Sequence, residues 1–204
     1  RNISITDNYV AMTYNGACVE IESGSVGYAN GISVSNNRFD WTGTSGAASR
    51  GILAEKVYNF MFNNNIFNSL TSSQLSSGIM IGTSGDSKWG QISNNIISSA
   101  GGYPIYIDCD LDQSVISNNV IHGPGGSDLT YGIYVNPADR CVITGNTISN
   151  LSSHGSVAGI KLTTTSDNNV IIGNLTHKLI VDDDSSANNL CDEQTDIGAL
   201  NNET

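Results

Sequence analysis

Positive charge is scarce in this chain. Four Arg and four Lys stand against nineteen Asp and Glu, a formal net charge of −11 over 204 residues. An acidic surface repels phosphate, which disfavours nucleic acid and anionic lipid as general partners. Long apolar runs are also missing. None approaches the roughly 20 residues of a membrane-spanning helix, so no membrane insertion is expected. No secretory leader is visible. Charged residues of either sign make up only 13% and hydrophobic residues 38%, so Asn, Ser, Thr and Gly fill the remainder. In bulk that mixture resembles a disordered chain, but Ile, Val and Phe recur too regularly for disorder. The four cysteines, Cys18, Cys109, Cys141 and Cys191, fit no zinc spacing. They allow three full pairings, and Cys141 falls at an inward repeat position that suits a buried free thiol. The chain opens at Arg1, already inside a repeat. The expectation is a processed product or a fragment of a longer protein.

What is present is a repeat. Ser114-Val115-Ile116-Ser117-Asn118-Asn119-Val120-Ile121 is one copy of a unit with an apolar residue three before a fixed Asn, and in most copies another two after it. The fixed positions are Asn8, Asn37, Asn65, Asn95, Asn119, Asn146 and Asn174, spaced by 29, 28, 30, 24, 27 and 28 residues. A period in this range marks a repeat architecture and outranks local propensity. A second unit, Gly-Ile-x-[Val/Ile/Leu], recurs at Gly51, Gly78, Gly132 and Gly159, with Pro104-Ile105-Tyr106-Ile107 in the equivalent place. An earlier copy is expected at Ala17 to Glu20, where a gap of 35 residues to Ile52 leaves the register least secure.

Both units alternate with period two, so both are strands. No helical stretch is long enough for a crossover. Parallel strands without helices, at about 27 residues per turn, close only as a coil whose turns stack at roughly 4.8 Å. Ile52, Ile79, Ile105, Ile133 and Ile160 should form one inward stack, and Ile92, Ile116, Ile143 and Ile171 another. Each fixed Asn should sit at a corner, where Asn tolerates left-handed backbone and bonds amides above and below.

Gly-Ile-x-Val followed by x-Ile-Ser-Asn-Asn-x-Ile resembles the right-handed parallel β-helix repeat shared by pectate-lyase-like enzymes, polygalacturonases, alginate epimerases and phage tailspikes. The resemblance covers roughly residues 1–181. It implies an all-β, single-stranded right-handed solenoid of about seven coils, with 182–204 as an acidic, polar cap or tail. It is specific for fold and unspecific for activity. Asp182-Asp183-Asp184 reads as part of that cap, with a calcium site as the alternative. Solenoid ends need a cap or a neighbour, because they expose unpaired strand edges.

In the Gly-Ile strand, one outward column is expected to read Cys18, Leu53, Met80, Tyr106, Tyr134 and Lys161. The next reads Glu20, Glu55, Gly82, Asp108, Asn136 and Thr163. Tyr106 and Tyr134 beside Asp108 and Asn136 suit a sugar, because a ring covers the apolar sugar face while carboxylates and amides take hydroxyls. The competing reading is an aromatic ladder that stiffens the sheet or packs on a sister subunit. Lys161 and the exposed Trp89 join the candidate substrate-binding set. Trp89 and Trp41 each clamp a sugar or cover a loop. Asp108, Asp110 and Asp112 alternate, leaving three readings: a solvated turn, catalytic carboxylates, or a metal site. The Gly and distal Glu of a calcium loop are lacking, so no metal ligand is assigned and no cofactor beyond calcium is considered. Glycoside hydrolysis needs two carboxylates, about 6.5–9.5 Å apart for inversion. Glu55 and Asp108 share a column two coils, about 10 Å, apart. Glu55 with Asp108 or Asp110 is therefore the best acid–base pair. His122, His154 and His177 form no cluster and read as loop residues.

The enzymes of the resembled families carry Asp-Pro-His-Glu, Arg-rich, Gly-His-Gly or Arg-x-Lys elements, and all are absent here. The degenerate, Asn/Ser-rich coils look most like tailspike or tail-fibre proteins. That resemblance implies an extracellular or virion-surface location, a polysaccharide partner that is bound, with or without cleavage, and a homotrimer. The alternatives are a secreted polysaccharide lyase, hydrolase or epimerase, and a non-catalytic structural or adhesive solenoid.

Overall fold

The computed structural model describes residues 2–13, 16–23, 27–42, 49–69, 76–82, 85–98, 102–123, 131–149, 158–163, 165–176, 180–182 and 189–191. His154, His177, Asp183, Asp184 and the loop segments 43–48, 70–75, 124–130 and 150–157 lie outside them. Every strand pairing is parallel and joins one turn to the next. Three sheets run along the coil. The first contains Ile3–Thr6, Ala29–Ser35, Val57–Asn63, Gln91–Ser93, Val115–Ser117, Val142–Thr144 and Val170–Ile172. The second has seven strands from Tyr9–Met12 to Leu175–Thr176, and the third has seven from Ala17–Ile21 to Ile180–Asp182. Leu190–Cys191 adds one further rung to the first sheet.

The inward residues superpose as the period requires. Ile52, Ile79, Ile105, Ile133 and Ile160 are fully buried in the third sheet, and Ile92, Ile116, Ile143 and Ile171 stack in the first. Five turns, from Ile32 to Leu162, bury apolar residues on all three sheets. The closed core is thus shorter than the seven expected coils, because the outermost strands have a neighbour on one side only. Ile3–Thr6 and Tyr9–Met12 are largely exposed for that reason. All four cysteines are free thiols, Cys141 buried among them. Burial in this apolar core pushes the Cys141 and Cys109 thiols up to about 12.

The asparagine column is continuous. From Asn8 to Asn146, the backbone N–H and the side-chain Nδ2 of each Asn both donate to Oδ1 of the next, at 2.9–3.1 Å. Each Nδ2 from Asn37 onward also reaches a main-chain carbonyl one turn back, such as Ile92 for Asn119. The left-handed residue is not the ladder Asn but the one before it: Asp7, Asn36, Asn64, Asn94, Asn118, Gly145 and Gly173 all have positive φ. The ladder residue is spared that conformation because its backbone N–H must point along the solenoid.

The register at the N-terminal end differs from expectation by two residues. Val19 pairs with Ile52 and Glu20 with Leu53. Glu20 rather than Cys18 therefore heads the tyrosine column, and Glu22 precedes Glu55, whose N–H bonds the Ile21 carbonyl. The repeat spacing here is 33 residues, from Val19 to Ile52, rather than the 35 counted from Ala17.

Candidate functional site

Four tyrosines cover the outer face of the third sheet. Tyr106 and Tyr134 pair directly across adjacent turns, with Met80 before them and Lys161 after. Tyr103 and Tyr131 form a second column alongside. Ring centroids lie 5.2 Å apart for Tyr103 and Tyr134, 5.5 Å for Tyr106 and Tyr134, and 5.7 Å for the stacked Tyr103 and Tyr131. The Lys161 ammonium sits 5.2 Å from the Tyr131 ring centre, a cation–π contact. All four tyrosines are half-buried.

Tyr131 shares a face with Tyr134 although they are three residues apart, which strict alternation forbids. The glycine of the Gly-Ile unit explains it. Tyr131 pairs with Ala158 and Ile133 with Ile160, while Gly132 and Ile133 both turn to the core. The glycine is an added inward residue, so the strand resets its alternation there as a β-bulge does. A Cβ on Gly132 would sit 2.8 Å from the Gly159 carbonyl and run into the Ile148 side chain.

Polar groups line the edge of the tyrosine face. The Asn136 amide donates to Asp108 Oδ1 at 3.2 Å, and the Thr163 hydroxyl donates to Asn136 Oδ1 at 2.8 Å. The Tyr106 hydroxyl bonds the Asp108 carboxylate. Burial first, and then that bond, raise the Tyr106 pKa. Burial also raises that of Tyr134, with Lys161 opposing. Glu55 lies one turn before Gly82, and its Oε1 would be 3.3 Å from a Cβ placed there. The carboxylate therefore leans along the column toward the turn of Asp108.

Asp108, Asp110 and Asp112 do not continue one strand. Ile105–Ile107 ends before Asp108, and Leu111–Asp112 pairs instead with Ser87–Lys88 and Ala138–Asp139 on the extended edge of the first sheet. Alternation nonetheless persists, because Cys109 and Leu111 are buried between the aspartates. Asp112 is buried but compensated: Arg140 reaches it at 2.6 Å, Lys88 at 3.9 Å and Gln113 at 3.2 Å. Asp110 is not. One of its oxygens is buried without a hydrogen-bond partner. Burial, then the charges of Asp139 and Asp86, push its pKa above the usual carboxylate range, against the pull of Lys88. Among the described residues no group of three or more His, Cys, Asp or Glu is arranged to hold a metal ion.

Trp89 stands at the next corner, half exposed, with φ of 55°. Left-handed backbone is uncommon for so large a residue. Its ring meets Tyr58 edge-on at 5.6 Å, and Tyr58 stacks on Tyr28 at 4.1 Å. Burial, then Tyr28, push the Tyr58 hydroxyl up to about 12. Trp41 differs: it is 2% exposed and belongs to the core, since it follows Phe39 by two on the inward side of its strand. His122 contacts Ser149 at 3.1 Å on the second sheet, away from these groups.

Tyr106, Tyr134, Lys161, Asp108 and Asn136 are therefore brought together, with Glu55 leaning toward them. Asp110 and Trp89 fall on the neighbouring corner. Tyr103 and Tyr131 are members that period-two reading misses, and the signal that finds them is an aromatic three before the tyrosine across a Gly or Pro. Residues 50–190, which hold nearly all of these groups, match the family model described as right handed beta helix region. No curated protein matches the chain.

Proposed function

Because the chain belongs to the right-handed β-helix family, we propose that its third-sheet face binds a polysaccharide in a tailspike- or tail-fibre-like setting, extracellular or on a virion surface. The observation that carries this is the grid of Tyr103, Tyr106, Tyr131 and Tyr134, bordered by Lys161 and the Asp108–Asn136–Thr163 chain. Partly exposed aromatic rings repeated one turn apart suit the repeated apolar faces of a sugar chain. The bordering amide, carboxylate and hydroxyl suit its hydroxyls. The location rests on the resemblance of the Asn/Ser-rich coils to tailspikes.

Affinity electrophoresis against bacterial-surface and cell-wall polysaccharides tests this. Tyr106→Ala and Tyr134→Ala should each weaken binding about tenfold, as expected for a central aromatic contact. Unchanged retention in both, with intact far-UV spectra, overturns the assignment in favour of a purely structural ladder.

A second reading, in which the bound glycan is also cleaved, is favoured by Asp110. A carboxyl whose pKa is raised by burial and by neighbouring carboxylates is suited to act as a general acid. Asp108 or Glu55 then supplies the base. Asp110 protonates the leaving glycosidic oxygen as its bond to the anomeric carbon breaks, and the base takes a proton from the water whose oxygen bonds that carbon. Asp110→Asn should lower cleavage at least a hundredfold while leaving binding to the tyrosine face within about twofold. A secreted lyase or epimerase would instead require calcium, and its activity would vanish in chelator.

A further inference from the structure

A second aromatic surface lies at the corner where the third sheet turns into the first. Tyr28, Tyr58 and Trp89 come from three successive turns, because Asn30 pairs with Tyr58 and Tyr58 with Lys88. Tyr28 stacks on Tyr58 at 4.1 Å and Trp89 meets Tyr58 edge-on at 5.6 Å, so the rings form one ridge along the solenoid. Tyr28 is 59% and Trp89 50% exposed, and neither belongs to the core. Left-handed backbone recurs at this corner. Beside Trp89 in neighbouring turns it is taken by Asn59, Gln113 and Arg140, with φ of 48°, 49° and 53°. Asn suits that conformation, and large aromatics rarely adopt it. Residues held in such sparsely populated conformations cluster where ligands bind. Trp89 is one of them, and it packs no core that would explain its size.

The corner is continuous with the tyrosine face. From Tyr106 the chain passes through Asp108 and Asp110 to Gln113, which lies one turn after Trp89 in the corner column. Tyr106 and Gln113 are seven residues apart, at most roughly 23 Å of strand, which several linked sugars can cover. We infer that one uncharged polysaccharide chain crosses this corner, with one stretch of sugars on the tyrosine grid and the next on the Trp89–Tyr58–Tyr28 ridge. The inference rests on the tyrosine face being a sugar site, and it adds a path and a substrate class. The path runs from sheet to sheet at the crossing rather than along the solenoid axis. Charge decides the class. Residues 107–113 carry three Asp and no Lys or Arg. Among the described residues only Asp112 of these three is ion-paired, by Arg140 and Lys88. An anionic sugar would therefore meet the Asp108 and Asp110 carboxylates at the crossing, whereas an uncharged one meets no repulsion. Gln113 and Arg140 continue the corner column after Trp89, exposed, as polar partners for hydroxyls.

The test uses the full chain in affinity electrophoresis against dextran, mannan, galactan and glucomannan, which are uncharged, and against alginate and polygalacturonate, which are anionic. At least one uncharged polymer should retain the parent chain. Trp89→Asn should weaken that retention about tenfold, as Tyr106→Ala does. The corner already carries Asn59 in the same conformation, so this variant keeps the backbone and removes the ring. Oligosaccharides cut from the retained polymer should bind the parent chain more tightly as they lengthen, and Trp89→Asn should abolish the gain. The chain has two tryptophans, so a ¹H–¹⁵N spectrum carries two indole signals, and the one missing from Trp89→Asn belongs to Trp89. That signal should shift with the long oligosaccharides while the signal of buried Trp41 stays fixed. Retention unchanged in Trp89→Asn but weakened in Tyr106→Ala overturns the crossing and leaves the tyrosine-face reading standing. The reverse result removes the tyrosine-face reading and the crossing with it. Retention by alginate or polygalacturonate alone overturns the uncharged class, and retention by no polymer overturns the whole inference. If Trp89→Asn does not fold, Tyr28→Ser at the exposed end of the ridge takes its place, with the same loss expected.

Discussion

The asparagine column makes position along the solenoid the determinant of what one residue is worth. Asn119 is fully buried. It accepts two bonds from Asn95 and donates to Ile92 and Asn146. Asn119→Ala strands the Asn95 main-chain N–H and the Ile92 carbonyl, so the expected loss is roughly 2–4 kcal/mol. Asn8 is exposed and donates only to Thr6 and Asn37. Asn8→Ala should therefore cost about 0.5–1 kcal/mol. Urea unfolding of both variants measures the contrast, and equal losses would mean that the ladder carries no burial-dependent energy. Asp110 tests the opposite sign. Its folded pKa lies above the unfolded value, so its contribution is most favourable below the unfolded pKa and is lost as pH rises through the folded one. Asp110→Asn should raise the melting temperature at pH 7, and the gain should shrink on acidification. Asp40 runs the other way: its folded pKa is lowered, so it stabilises above the unfolded pKa and the benefit disappears as pH falls through the folded one. At this scale the ladder was legible because seven asparagines keep one period. The fate of Trp41 was not, because a tryptophan followed by Thr, Gly and Ser looks like a loop residue. Only its inward parity after Phe39 places it in the core.

Among the strands, the Gly-Ile unit does two jobs that its sequence shows only in part. The isoleucine and the residue two beyond it are inward core positions, and period-two alternation reads them correctly. The glycine looks like a strand breaker, yet it is where the third sheet comes closest to the second. Cβ atoms at Gly51, Gly78, Gly132 and Gly159 would press on Phe67, Ile97, Ile148 and Thr176 respectively. Because the added inward residue resets alternation, Tyr103 and Tyr131 emerge on the outer face where counting by twos would put them inside. That is why half of the tyrosine grid was unreadable while Tyr106 and Tyr134 were plain. Gly132→Ala should destabilise by about 1–3 kcal/mol through overpacking against Ile148. Ile148→Ala in the same chain relieves that contact, so the double variant should lose less than the sum of the two single ones. Thermal unfolding of the double-mutant cycle gives the coupling. An additive result would show that the Gly159 carbonyl, not Ile148, sets the limit.

Over the whole molecule, charge is distributed unevenly, and the unevenness bears on association. The chain carries −11, so two copies repel wherever their charges face each other. The described outward residues of Gln91–Ser93, Val115–Ser117, Val142–Thr144 and Val170–Ile172 in the first sheet, and of the second sheet from Ile66 onward, carry no Asp, Glu, Lys or Arg. On the second sheet they are Ile66, Ile96, Val120, Thr147 and Leu175, beside Asn68, Ser98, His122 and Ser149. Met61, Ile96, Val120, Ile172 and Leu175 are exposed apolar residues on these faces. Side by side, two such surfaces bury apolar groups and oppose no charges, whereas the acidic corner from Asp86 to Asp139 would remain in solvent. We propose that these surfaces meet in the homotrimer that the tailspike resemblance implies, the tyrosine face being left outward. Sedimentation of the parent chain should show a mass above the 21.5 kDa of one chain. Ile96→Lys with Val120→Glu should return it to that mass at physiological salt without loss of far-UV signal. The tyrosine face is remote from these positions, so the monomeric variant should keep its affinity for a short oligosaccharide while losing avidity for the polymer, by about a hundredfold or more for linked sites. A parent chain that sediments as a monomer at every concentration tested would remove the trimer and leave the single-chain glycan binder.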